Sequence, residues 1–441
     1  MSKLSRRKFL VTSGITAVGA AILYGCGADN APEETTTDPA TTGQVETVDM
    51  GENAPETPSA KLGFIALTDA SPLIVALEKG IFAKYGMTNV EILKQASWPV
   101  TRDNIELGSG GGGIDGAHIL TPMPYQMTLG TTTNQPVPMY ILARLNTNGQ
   151  GISVSNAFPE VGLNTPDKLK EAVAKAKAEG RDFTAAMTFP GGTHDVWMRY
   201  WLAANGINPD SDASVVPVPP PQMVANMKTN TMDTFCVGEP WNAQLVGQKA
   251  GYSALVTGEL WNNHPEKAFA LRQDWVDQNP KAARALLMAV LEAQQWCDQA
   301  ENVEEMCQIV SQNKWFKVPY EDIVERSKGN IDFGTGRVEE NFEYAMKFWR
   351  DNASYPFKSH DLWFLTENIR WGYIPADTDT KALVDKVNRE DLWREAAEAI
   401  GVSADQIPTE TSRGVETFFD GITFDPEDPQ AYLDSLQFKK I

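Results

Sequence analysis

One order of elements occurs twice in this chain, and it limits the fold more than any other feature. Residues 62–67 read as a buried strand, 73–85 as a helix stopped by Gly86, 89–93 as a second strand and 101–107 as a second helix. A third strand opens at Ile114-Asp115. Residues 183–188, 196–204, 214–218, 222–228 and 232–237 repeat the order, and the third strand again opens on an aliphatic residue and Asp, Met232-Asp233. A proline follows each third strand, Pro122 and Pro240. Two similar α/β lobes are therefore expected.

Ligands of open parallel sheets bind outside the carboxyl ends of the strands, beside helix N-termini. Two such lobes face each other across a cleft. The chain is expected to cross between them twice, within 137–152 and again within 257–269, so that the lobes can hinge. The expected boundaries are 61–147 for the first part of lobe 1, 148–264 for lobe 2, and 265–441 for the rest of lobe 1 with a largely helical C-terminal extension. The tail from about residue 320, rich in Trp, Phe, Asp and Gly, is expected to pack around the first lobe.

The N-terminus reads as an address. Ser5-Arg6-Arg7-Lys8-Phe9-Leu10 is a basic segment of the twin-arginine type, followed by an apolar stretch over 11–23 that is too short and glycine-rich to span a membrane well. Leu23-Tyr24-Gly25-Cys26 resembles a lipobox. Residues 1–25 are thus expected to be a signal peptide, cleaved before Cys26, whose thiol is acylated (palmitate). Residues 26–60 hold eight acids and no Lys or Arg after the cysteine. They bury too little apolar surface to fold and read as a tether to the membrane, the chain's only membrane contact.

The whole chain of 441 residues is 42% hydrophobic and carries 38 Lys+Arg against 58 Asp+Glu. Removing the four bases of residues 1–25 leaves 34 against 58, a net charge of −24. Nucleic-acid binding is disfavoured. A small anionic ligand is not, because salt screens distant charge over roughly 10 Å. Cys236, Cys297 and Cys307 read as buried free thiols, and the four histidines are too scattered to suggest zinc.

Four places carry candidate chemistry. Gly191-Gly192-Thr193-His194-Asp195 follows a strand and opens a helix. Glycines admit a ligand to backbone N–H groups, the helix dipole favours negative charge, and Thr193 and His194 add side-chain donors. An ordinary helix cap by Thr193 or Asp195 is the plain alternative. Trp98, in the turn after the second strand, offers an indole N–H to the cleft or fills the core. Gln150, between two glycines, lies beside the first crossing or simply makes a turn. Lys267 lies near the second crossing, where a solvated lysine is the ordinary reading. No phosphate-binding loop, zinc-protease motif or nucleophile elbow occurs, so no enzyme and no cofactor or metal is expected.

From residue 61 onward the chain resembles the nitrate/nitrite-binding lipoproteins of cyanobacterial ABC importers, relatives of the bicarbonate-binding lipoproteins. The segments that carry the likeness are 113–118 (Gly-Ile-Asp-Gly-Ala-His), 188–195 (Thr-Phe-Pro-Gly-Gly-Thr-His-Asp), 235–241 (Phe-Cys-Val-Gly-Glu-Pro-Trp) and 358–365 (Lys-Ser-His-Asp-Leu-Trp-Phe-Leu). The resemblance implies a two-lobed, C-shaped periplasmic solute-binding protein of type II-like fold, a monomer that delivers its ligand to a membrane permease with its ATPase. The bicarbonate branch has Gln where this chain has His194 and Glu where it has Lys267, that Glu helping to hold calcium. By resemblance Trp98, Gln150, His194 and Lys267 contact nitrate, with Thr193, Gly191 and Gly192 nearby. Nitrate is planar and accepts hydrogen bonds only, so a micromolar affinity, about 8 kcal/mol, has to come from donors worth roughly 1.5–3 kcal/mol each. The alternatives are a bicarbonate receptor using a metal, an organic-sulfonate receptor, and an enzyme on the same fold like the pyrimidine-precursor synthases, whose clustered cysteines this chain lacks.

Overall fold

The computed structural model describes residues 47–440; the signal segment, Cys26 and most of the expected tether lie outside the described residues. Two five-stranded sheets form the frame. The first has β1 (Ser59–Phe64), β2 (Asn89–Lys94), β3 (Gly116–Leu120), β4 (Met139–Thr147) and, from later in the chain, Pro265–Arg272. The second has β5 (Gln150–Ser155), β6 (Phe183–Met187), β7 (Ala213–Pro217), β8 (Thr234–Gly238) and β9 (Gly251–Val256). With Pro265–Arg272 as β10, the strand orders are β2-β1-β3-β10-β4 and β7-β6-β8-β5-β9. β1 is parallel to β2 and β3, and β6 to β7 and β8.

The Asp that opens each third strand has the same job in both sheets. Asp115 Oδ2 accepts from the backbone N–H of Lys61 at 2.9 Å, and Asp115 N–H donates to Lys61 O at 2.8 Å. Asp233 Oδ2 accepts from Thr184 N–H at 2.8 Å, and Asp233 N–H donates to Thr184 O at 2.9 Å. Each carboxylate occupies a backbone donor of β1 or β6 one residue before the parallel ladder to β3 or β8 begins.

Each crossing joins the end of one strand to the start of another. β4 leads into β5 through Asn148-Gly149 alone, and β9 leads into β10 through residues 257–264. β5 and β10 run antiparallel to their neighbours, so each sheet includes one strand reached by a crossing. Gly149 adopts φ 84°, and a Cβ there would lie 2.8 Å from Met346.

The structure departs from two sequence expectations. Residues 47–60 are not all free tether: Glu56 accepts from the N–H groups of Lys281 and Ala282, capping the helix Pro280–Cys297, and β1 already begins at Ser59. An acid at a helix N-terminus satisfies donors that would otherwise lack partners. The tail does not pack around the first sheet only. Thr147 and Lys347 exchange backbone hydrogen bonds of 3.0 and 3.1 Å, and Asn148 Nδ2 donates to Ala345 O at 3.3 Å. On the other side Ser253 N–H donates to Phe333 O at 2.9 Å, and Arg326 holds Glu239 and Ser253. The tail pairs with backbone groups of both sheets because β4 and β9 are edge strands, whose outer N–H and C=O groups have no ladder partner. In the helix Lys358–Arg370, Trp363 stacks on Trp197 at 5.0 Å between ring centroids. Cys236, Cys297 and Cys307 are buried free thiols, as read from the sequence.

Candidate functional site

The two sheets meet around one ammonium group. Lys267, on β10, is completely buried, and its Nζ lies 2.9 Å from Asp69 Oδ2 and 3.0 Å from Glu266 Oε1. Neighbours on a strand usually point to opposite faces. Here a β-bulge intervenes: Pro265 pairs with Thr147 and Lys267 with Asn146, leaving Glu266 extra. The bulge turns both Glu266 and Lys267 to the junction, and Lys267 N–H finds Asn146 Oδ1 at 3.2 Å.

A chain of hydrogen bonds runs along the wall. Thr188 Oγ1 pairs with His194 Nδ1 at 2.5 Å, His194 Nε2 with Gln150 Oε1 at 2.7 Å, and Gln150 Nε2 donates to Asp69 Oδ2 at 3.0 Å. Asp69 Oδ1 then meets His118 Nε2 at 2.6 Å. Glu266 is held from the second sheet, by the Thr193 hydroxyl and by Trp197 Nε1 at 3.0 Å. Thr68 N–H donates to Glu239 O at 2.7 Å and Trp241 Nε1 to Ala66 O at 3.2 Å, so backbone groups also join the sheets.

Burial sets the ionisation. It would raise the Asp69 carboxyl, but Lys267 and His118 beside it outweigh burial and hold it well below the usual range. Burial raises Glu266, and the offsetting Lys267 charge and the hydrogen bonds from Thr193 and Trp197 do not cancel the effect. Burial alone would lower Lys267; Asp69 and Glu266 outweigh it, and the ammonium is held above its ordinary value. Burial, and then Lys267, keep His194 well below its ordinary value, and burial lowers His118 despite Asp69. The two carboxylates thus keep the buried lysine charged.

All seven residues expected from the sequence are buried or tightly packed, and they divide by role. Trp98 is wholly buried and begins the helix Trp98–Leu107 behind the Ser97 cap, three residues earlier than expected and not in a turn. Its Nε1 has no hydrogen-bond partner, and its ring lies 5.8 Å from Lys267 Nζ. Lys267 retains one of its three N–H groups beyond the two carboxylates. Gln150 and His194 stand beside it, but they spend hydrogen bonds on each other. The Thr193 hydroxyl is spent on Glu266.

The glycines are not the expected backbone donors. Gly191 N–H goes to Asp195 Oδ2 at 2.8 Å and Gly192 N–H to Phe189 O at 3.0 Å. Gly191 serves close approach instead: at φ 70°, its Cβ would lie 2.3 Å from Gln126 Nε2 and 2.6 Å from Asn368 Oδ1. Asp195, which also binds Arg199 at 2.9 Å, fixes this loop and does not orient His194; Thr188 does that.

Sequence reasoning missed Asp69, Glu266, His118, Thr188 and Thr68, whose buried hydroxyl also has no partner. The only sequence signal of Asp69 is its place after a first strand, where parallel sheets bind ligands.

The model of the NMT1-like family matches residues 53–311. The nitrate/nitrite binding protein NrtA of Nostoc sp. is 63% identical, with 100% of each chain covered. The bicarbonate-binding protein CmpA of Synechococcus elongatus is 45% identical over 99% of this chain and 98% of that one. The crystal structure of the periplasmic nitrate-binding protein NrtA from Synechocystis has a TM-score of 0.85 and 68% identity, covering 87% of this chain and 100% of that chain.

Proposed function

This chain belongs to the NMT1-like family, with the nitrate/nitrite-binding proteins among its members, and we propose that it captures nitrate, and nitrite, in the periplasm for an ABC permease and its ATPase. It binds and releases the anion unchanged; its named relatives are binding proteins. Anchoring through an acylated Cys26 belongs to the same proposal, as does a division into lobes at 61–147, 148–264 and 265–441.

The observation that carries the reading is the fully buried Lys267 ammonium beside an indole N–H that has no partner. A small oxyanion stripped of water needs a fixed cation, because an unpaired buried charge is costly. We assign Lys267 and Trp98 as direct donors, with the Thr68 hydroxyl within the same turn as Asp69. His194 and Gln150 form the adjoining wall. Their mutual hydrogen bond holds both planes fixed, so little ordering is left to be done when the anion arrives. Thr193, Gly191 and Gly192 shape the closure and hold Glu266.

Lys267 also bears on the bicarbonate alternative. It places an ammonium where that reading needs a metal beside the ligand. Calorimetric titration of the full chain with nitrate, nitrite and bicarbonate, each with and without calcium, tests the function. Nitrate binding without calcium, abolished by Lys267→Glu, is expected. Calcium-dependent bicarbonate binding with no response to nitrate would replace this reading, and retained nitrate affinity in K267E would remove the lysine from the site.

A further inference from the structure

We propose that nitrate enters this site together with one proton, and that Glu266 holds that proton. The inference rests on the nitrate reading and adds a second, obligatory ligand to it.

Seven titratable groups face the junction. Asp69 comes from the turn after β1, His118 from β3, His194 from the helix Thr193–Ala204, Cys236 from β8, His264 from the second crossing, and Glu266 and Lys267 from β10. All seven are buried. One ammonium faces two carboxylates, so the carboxylates in contact with Lys267 outnumber its charge by one before any anion arrives. A ligand oxygen on the remaining N–H of Lys267 would sit about 5 Å from both carboxylates, as the tetrahedral ammonium dictates. Two uncompensated negative charges in a buried site are not sustainable. One proton per nitrate leaves the net charge unchanged by binding.

Geometry selects the carrier. Asp69 accepts from Lys267, His118 and Gln150, a donor set that favours its ionised form. His194 has both ring nitrogens engaged, and Lys267 Nζ at 3.5 Å opposes a positive ring. Glu266 is different. Its Oε1 also accepts from Lys267, at 3.0 Å, but its other donors are a hydroxyl and an indole; the Thr193 hydroxyl that donates to the carboxylate can turn and accept from the acid. Trp197 Nε1 serves Oε2 in either state. Burial already raises the Glu266 carboxyl, and a nitrate on Lys267 weakens the attraction that opposes that rise. The proton comes from solvent and returns to it when the anion leaves, with no other bond made or broken.

Calorimetry of the full chain in two buffers of different ionisation enthalpy, near pH 6.5, counts the protons. The expected result is uptake of one proton per nitrate, with Kd rising by up to about tenfold per pH unit across the near-neutral range. Glu266→Gln should bind nitrate with no proton uptake and a Kd independent of pH over that range. Nitrate binding by the unaltered chain with no buffer dependence would overturn the proposal. Undiminished uptake in E266Q would overturn the assignment to Glu266. The buffer comparison on the unaltered chain decides the proton count even if E266Q does not fold. Absence of any nitrate binding would instead overturn the function itself, a distinct result.

Discussion

Replacing Trp98 with Phe isolates one atom of the site. The indole Nε1 is buried and has no partner within the described protein, so Trp98→Phe breaks no protein hydrogen bond. The loss to stability is the packing of the missing ring atoms, about 1–2 kcal/mol for a few buried carbons and the space they leave. The loss to binding is of another kind. A neutral donor to an anion contributes roughly 1.5–3 kcal/mol, and each 1.4 kcal/mol is about tenfold in affinity. Nitrate Kd should therefore rise about 10- to 150-fold in W98F, while Tm falls only a few degrees. Isothermal titration gives the first number and thermal unfolding without nitrate the second. A Kd within threefold of the unaltered protein would show that the indole N–H does not reach the anion, and the assignment of the site around Lys267 would have to move away from Trp98.

Two further predictions concern the frame. Arg144 and Asp361 form a buried ion pair, 1% and 0% exposed, that ties β4 to the tail helix. Asp361→Asn leaves a buried guanidinium unpaired and should cost about 3–5 kcal/mol, read as a lowered midpoint in denaturant; an unchanged midpoint would refute it. The buried histidines should make the fold acid-sensitive above the carboxylate range. Burial lowers His264 to about 3 and His360 to about 4. Their folded pKa values lie below the unfolded one, so their contribution is complete above about pH 6.5 and is lost as pH falls from there towards 4. Each adds a slope approaching about 1.4 kcal/mol per pH unit within that window. His360→Gln should flatten the slope between about pH 6.5 and 5 by up to that amount; an unchanged slope would mean that His360 takes up its proton in the folded state.

The sequence read well where a signal was local. The aliphatic-Asp pair at each third strand marked equivalent places in two sheets, and the structure supplies the reason: each carboxylate takes a backbone N–H of its first strand. The glycine loop was visible as a close approach, although what approaches is Gln126 and Asn368. The carboxylates around Lys267 were not legible. Asp69 meets Lys267 across 198 positions of chain. Glu266 shares its face only because a bulge breaks the alternation that strand reasoning assumes. The fate of Gln150 and His194 was equally hidden, since both are donors by residue type and only coordinates show that they satisfy each other.

The tail's path has a mechanical result. Near the pivot it lies on both crossings, with Ala345 and Lys347 against the first and Tyr344 against Gly258 of the second. Farther out, Asn368 grips Gly191 O at 3.0 Å, and Gln126 reaches Pro190 O at 3.2 Å. Were the halves to part about 148–149 and 257–264, bonds close to that axis would scarcely stretch, whereas the outer grip would travel farthest and snap first. The leverage falls on two amides holding two carbonyls, so a tug at the rim of loop 188–195 would be the least effortful way for a membrane partner to prise out the cargo.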